Sequence, residues 1–202
     1  YELFEENSFG YSMTDMLTMG MKGDFGLLTL PALSALPFAA QALHEIKSGA
    51  IRPAVFRTGR KNWIIGKVAG CVISGMLLQG AAVGLLFLIL NGLMRGCAGQ
   101  WFPWGDGGDF WPMLLRRMLC GGIWAGVGCI IALATETASA AYLAPLCLCY
   151  ALMMIGTRFF PDVAMLNPMQ WVNGAAWLLV VLLIITIALQ ALFLKRGVQR
   201  YA

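Results

Sequence analysis

Apolar residues along this chain come in long, nearly uncharged runs separated by short polar stretches, the pattern that marks bilayer spans. Five spans are predicted, which makes the chain an all-α polytopic membrane protein with a single transmembrane domain over residues 1–202. The first covers about Phe25 to Leu43 and contains Pro31 and Pro37. Proline is tolerated in a membrane helix, where neighbours and water satisfy the freed carbonyls, and it predicts a kink. The second runs from about Ile64 to Leu93, uncharged after Lys67. It exceeds the ~20 residues that a span needs, so it is expected to tilt or protrude. The third and fourth share Met118 to Gly156, a stretch too long for one helix, and the polar break Thr135-Glu136-Thr137 marks a tight hairpin between them. The fifth covers about Ala175 to Leu194 and is closed by Lys195-Arg196.

Composition supports the same class. Hydrophobic residues make up 59% of the chain and charged residues 12%, about half the charge fraction of a soluble domain. A soluble chain of this length has no core large enough to hide so much apolar surface. The net charge of +4 is only mildly basic, which argues against a nucleic-acid footprint.

Charge placement orients the spans. Lys47, Arg52, Arg57, Arg60, Lys61 and Lys67 lie between the first two spans, and Lys195, Arg196 and Arg200 follow the last. These fall on one side if the spans alternate, and the positive-inside rule makes that side cytoplasmic. Segments 44–67 and 195–202 are then cytoplasmic, whereas segment 1–24 and loops 94–117 and 157–174 are extracytoplasmic. The other side holds only Lys22, Arg95, Arg116, Arg117 and Arg158, with Arg116 and Arg117 expected to snorkel to the headgroups. Five spans and a cytoplasmic C-terminus put Tyr1 outside, yet the chain shows neither an initiator Met nor a signal peptide. A preceding span, making six, is therefore expected.

Small residues sit where helices would pack. Gly66, Gly70, Gly75, Gly80 and Gly84 spread along the second span, and Gly121, Gly122, Gly126 and Gly128 crowd the third. Gly122 and Gly126 form a GxxxG, which lets helix backbones approach closely. Five of the six cysteines (Cys71, Cys97, Cys120, Cys129, Cys147 and Cys149) lie within apolar runs. No CxxC pair occurs and His44 is the single histidine, so no metal site is expected. Met13, Met16, Leu17 and Met21 fall at helical spacing and suggest an interfacial helix rather than a methionine-based metal site. Glu136 is read as part of a cytoplasmic turn, with an intramembrane carboxylate as the alternative. Catalytic motifs are absent: there is no P-loop, no HExxH and no GxSxG.

The most informative stretch is His44 to Lys67, basic and too long for a simple turn. Pro53 suits the first turn of a helix. Ile51, Val55 and Phe56 are placed to rest against the lipid interface or a partner while Arg52, Arg57, Arg60 and Lys61 face water. On the residues alone, a loop that obeys the positive-inside rule and binds lipid headgroups accounts for this pattern. The order Glu45, Gly49, Arg57-Thr58-Gly59-Arg60-Lys61, Trp63 and Gly66-Lys67, however, resembles the segment joining the second and third spans of type-2 ABC exporter permeases. That segment begins with Glu, has Gly four residues on, contains a short coupling helix, and passes through Thr-Pro and basic residues to Gly-Lys. Gly59 stands where the family has Pro.

The resemblance implies that the five spans are the second to sixth of six. It implies a cytosolic ABC ATPase partner that carries ATP and Mg, with no cofactor bound directly by this chain. It also implies a second permease copy or a homologous permease, and contact with membrane lipid. Glu45 and Gly49 would lie near the coupling helix, and Lys47, Arg52, Arg57, Thr58, Arg60 and Lys61 would face the ATPase. The expected function is the translocation pathway of an exporter in a bacterial plasma membrane, for a peptide, drug or other amphipathic cargo. A non-transporting membrane scaffold or sensor subunit is the alternative. A membrane-embedded enzyme ranks third, because no polar cluster is evident within the spans.

The outer loops carry weaker signals. The stretch Gly96 to Trp111 is rich in Trp, Phe, Gly and Asp and reads as an interfacial aromatic belt. Thr157 to Trp171 contains Asn167-Pro168, read either as a simple turn or as the start of a short interfacial or re-entrant helix.

Overall fold

A bilayer offers the backbone no hydrogen-bonding partner, so each crossing segment must satisfy its own amides and carbonyls, and long apolar runs fold as helices. The computed structural model describes residues 13–23, 31–36, 38–98, 110–160, 163, 167–173 and 176–201, and the regular structure among them is helical. In chain order the helices are α1 (Met13–Lys22), α2 (Gln41–Lys47), α3 (Ile51–Thr58), α4 (Arg60–Ala98), α5 (Phe110–Thr135), α6 (Ala138–Phe159), α7 (Pro168–Asn173) and α8 (Ala176–Tyr201).

Four helices are long and apolar enough to cross a membrane: Arg60–Leu93, Phe110–Thr135, Ala138–Phe159 and Ala176–Gln199. They correspond to the second to fifth predicted spans, and the chain is a multi-pass membrane protein. The first predicted span, 25–43, lies partly outside the described residues. Its described part is not one continuous rod: residues 31–35 are helical and turns at 38–40 lead into α2. The Leu36 amide reaches back to Leu33 and the Gln41 amide to Phe38, at 3.3 and 3.2 Å. These are the tight three-residue closures of a locally broken helix.

Helix ends depart from the hydropathy boundaries. α4 starts at Arg60 rather than at 64, and α5 starts at Phe110, so the predicted loop 94–117 is helical at both its ends. α8 runs through Lys195 and Arg196 to Tyr201, which makes the predicted tail 195–202 largely the continuation of that helix. Hydropathy reports where the bilayer ends, whereas a helix continues into water until a residue breaks it. The breakers here are Gly59, at φ 78°, and the Thr135-Glu136-Thr137 turn.

α5 is the central helix. More than half of its apolar stretch is buried, against about a fifth in α4, α6 and α8, and it packs chiefly on α4, then α8, then α6. Between helices in lipid, close van der Waals contact replaces the hydrophobic driving force. The closest backbone-to-backbone approach joins Gly75 of α4 to Gly121 of α5: a Cβ on either would stand 2.6 Å from the other's carbonyl oxygen. The predicted GxxxG pair serves two neighbours. A Cβ on Gly122 would meet Val72 and Met76 of α4 at 3.1 Å, and one on Gly126 would meet Thr186 of α8 at 2.5 Å. Bare glycine at successive turns thus lets α5 wedge between α4 and α8. Outward positions such as Leu77, Leu88, Leu143 and Ile184 stay exposed, as side chains that face lipid do.

Candidate functional site: a braced basic segment

Two contacts far apart in sequence define one end of the bundle. The Arg60 guanidinium donates to the Lys195 carbonyl at 3.2 Å, and the Lys47 ammonium donates to the Glu136 carbonyl. The start of α4, the end of α8, α2 and the α5–α6 turn therefore gather together. The two groups of basic residues, separated by more than a hundred positions in the sequence, share this end.

Here α2, α3 and the first turns of α4 form the segment 44–67. Gly49 and Gly59 have φ of 76° and 78°, a region that side chains with a Cβ avoid, and they set the directions in which α3 enters and leaves. Gly59 does more than turn. Its amide donates to the Val55 carbonyl at 2.9 Å, and its carbonyl accepts from the Trp63 amide at 3.1 Å. Proline has neither the amide nor the positive φ, which explains why glycine occupies this position. Thr58 closes the same helix end by donating its hydroxyl to the Ala54 carbonyl at 2.9 Å.

α3 is buried on one side and exposed on the other. Ile51 is fully buried in a cluster with Ile46, Trp63, Val68, Leu194 and Val198, so the bundle itself takes up this residue. Val55 is half-buried. Phe56 does not share that face and is 92% exposed, with Arg52, Pro53 and Arg57 exposed beside it. An exposed benzyl group next to two guanidiniums has the composition of a contact surface, since aromatics and arginine dominate interface hot spots.

A polar brace holds the segment's flanks. Lys67 pairs with Glu45 at 2.5 Å, both side chains about three-quarters buried. The same carboxylate oxygen accepts from Gln41 at 3.2 Å, and the Lys67 ammonium lies 6.0 Å from the centre of the Trp63 ring. The pair ties α2 to α4, the two helices that flank α3. Partial burial puts such a pair between an exposed one, worth about 0–1 kcal/mol, and a buried one, whose disruption costs about 3–5 kcal/mol. Lys61 is exposed on the first turn of α4, and Lys47 turns away from the exposed face of α3 toward the α5–α6 turn.

Other predicted features take clear places. Glu136 lies in the turn between α5 and α6, with φ 55°, and not within a membrane helix. Arg116 is half-buried and Arg117 is 7% exposed. Arg117 is thus enclosed by the bundle rather than snorkelling outward, because α5 begins eight residues before the predicted start of the span at Met118. Asn167-Pro168 opens the short helix α7, whose Trp171 stacks on Trp124 at 5.7 Å. On α1, Leu17 is fully buried and Met16 half-buried, whereas Met19, which lies off the predicted face, is 68% exposed. Among the described residues no group of three or more metal-ligating side chains occurs, and Cys71, Cys120, Cys129, Cys147 and Cys149 are free thiols. The predicted segments at 1–12 and 99–109 lie outside the described residues.

The apolar pattern hid several polar side chains. Gln79 donates to Ser34 at 3.1 Å in the bundle interior, and Thr186 and Gln190 are buried on α8 beside Gly126. Both amide atoms of Gln190 lack a hydrogen-bond partner among the described residues. Isolated polar residues do not interrupt a hydropathy run, so the only sequence signal was a glutamine inside a span. No protein-family model, curated protein or solved structure matches this chain.

Proposed function

We propose that the chain is the permease subunit of an ATP-driven ABC exporter and that α3 is the helix through which a cytosolic ATPase drives it. The observation that carries this reading is the construction of α3: one side is locked into the bundle through Ile51, and the other presents Phe56, Arg52 and Arg57 to solvent. The motif from Glu45 to Lys67 supports it independently. In this reading the basic end lies in the cytoplasm, as the excess of Lys and Arg there suggests, and segment 25–43 is the span that leads into it.

The mechanism follows from stiffness. Closure of two ATPase subunits around ATP and Mg pushes on the exposed face of α3. The Glu45–Lys67 brace and the Ile51 anchor pass that displacement to α4. The Gly75–Gly121 contact passes it to α5 at the centre of the bundle. A second permease copy, or a relative, completes the pathway, and ATP shifts its two states through their different contacts with the ATPase. The apolar walls suit an amphipathic cargo such as a peptide or drug.

The test is purification of the full-length protein from its native membrane in mild detergent, with and without Arg52→Glu and Arg57→Glu. A stoichiometric ATPase, lost or uncoupled in the double reversal, is the expected result. Transport that survives the reversal unchanged excludes α3 as the coupling element. A chain that purifies without an ATPase supports a non-transporting scaffold.

A further inference from the structure

The basic end also holds a cleft that the exposed face of α3 does not use. It lies between α2, the α5–α6 turn and the last turns of α8, with a volume of about 390 Å³. Leu43, Leu133 and Phe193 form its apolar wall, and Lys47, Glu136 and Arg196 supply its charges. Leu43 is buried and Leu133 and Phe193 are half-buried, whereas Lys47 and Arg196 are exposed. The cleft therefore grades from apolar within to cationic at its rim.

We propose that this cleft binds the headgroup of an acidic phospholipid, with its phosphodiester between Arg196 and Lys47 and the upper part of its acyl chains on Phe193 and Leu133. Three observations carry the assignment. The first is depth. The Glu136 turn joins α5 and α6, each long and apolar enough to cross a membrane, so the turn, and with it the cleft, lies where two spans leave the bilayer, at headgroup level. The second is charge. Lys47 and Arg196 against Glu136 leave the lining with one net positive charge, the complement of a single phosphodiester. Lys47 gives one donor to the Glu136 carbonyl and retains two of its three, and a guanidinium fork suits two phosphate oxygens. The third is shape. An apolar wall that rises into a basic rim between membrane helices matches a lipid that enters sideways, with its chains remaining in the bilayer. A headgroup carrying its own ammonium would add a second positive charge to a rim that is already positive, so phosphatidylglycerol is favoured over phosphatidylcholine.

Titration of the detergent-purified full-length protein with short-chain phosphatidylglycerol, short-chain phosphatidylcholine and inorganic phosphate tests this, read by native mass spectrometry and thermal unfolding. Phosphatidylglycerol is expected to bind and to raise the unfolding temperature more than phosphatidylcholine does. Arg196→Ala and Lys47→Ala should each weaken it about fivefold, the effect of one cation at a membrane surface. Arg158→Ala, exposed at the far end of α6, should leave it unchanged. Arg196→Gln supplies the same comparison should the alanine variant fail to accumulate. Equal binding of the two lipids, or full binding in both cation variants, overturns the proposal. Displacement of phosphatidylglycerol by equimolar inorganic phosphate overturns the lipid as occupant and leaves a free-phosphate site.

Discussion

At the residue scale, the account turns on a few side chains whose replacement has a definite sign. Gly59→Pro would give the segment the residue its family resemblance expects, yet the position has φ 78° and its amide is bonded to Val55. The substitution should destabilise the protein by on the order of 2–3 kcal/mol, and Gly59→Ala by about 1 kcal/mol; thermal unfolding in detergent reads both, and a stability gain from Pro would contradict the observed turn. The Glu45–Lys67 pair is best tested by a double-mutant cycle. Glu45→Gln and Lys67→Met are each expected to cost about 1–3 kcal/mol, and the double variant less than their sum, because it leaves no lone charge in a partly buried place. Additive losses would mean that the two groups do not support each other. Gln190→Leu tests the buried amide, whose atoms have no partner among the described residues. Removing an unsatisfied buried polar group should be neutral or stabilising by about 1–3 kcal/mol. A variant that is equally stable but fails in transport would give Gln190 a working role.

At the scale of elements, legibility followed the physics that sets each feature. Four of the five predicted spans were visible as long apolar helices because hydrophobic length is a composition signal, and the hairpin was visible because three polar residues interrupt it. Helix ends were not: α4 begins with the polar turn Arg60-Lys61-Asn62, which hydropathy does not register, and the Arg116-Arg117 pair masked the apolar first turns of α5 that precede it. The same pair, read as a boundary, hid the burial of Arg117. Gly49 was singled out by its motif, but that Gly59 must be glycine required its backbone angle. Sequence spacing pointed to Gly122 and Gly126, while the closest backbone-to-backbone contact is Gly75 with Gly121, because contact across helices depends on how two faces register, which one helix's spacing does not contain. The element-scale prediction follows. Gly75→Leu or Gly121→Leu should force α4 and α5 apart and cost at least about 1–3 kcal/mol. Gly66→Ala, with nothing within 4 Å of the added carbon, should be near neutral or slightly stabilising through helix propensity. Equal effects at the two kinds of site, measured as unfolding temperature in one detergent, would remove the packing argument.

At the scale of the whole molecule, four apolar helices surround one another with α5 in the middle, and the basic segment rides on one end of that bundle. In the proposed function, the connection from α3 through Ile51 and α4 to α5 would let a surface helix act as a lever. The central claim is that the exposed face of α3 touches an ATPase in the working membrane. Photo-crosslinking in native membranes tests it most directly, with a benzophenone amino acid in place of Phe56 and, as a control, of Phe159, which is exposed at the opposite end of α6. The account predicts an adduct at position 56 that mass spectrometry identifies as a nucleotide-binding ATPase subunit, with none at position 159. An adduct at 56 with only lipid or with some other protein, or an ATPase adduct of equal yield at 159, would contradict it.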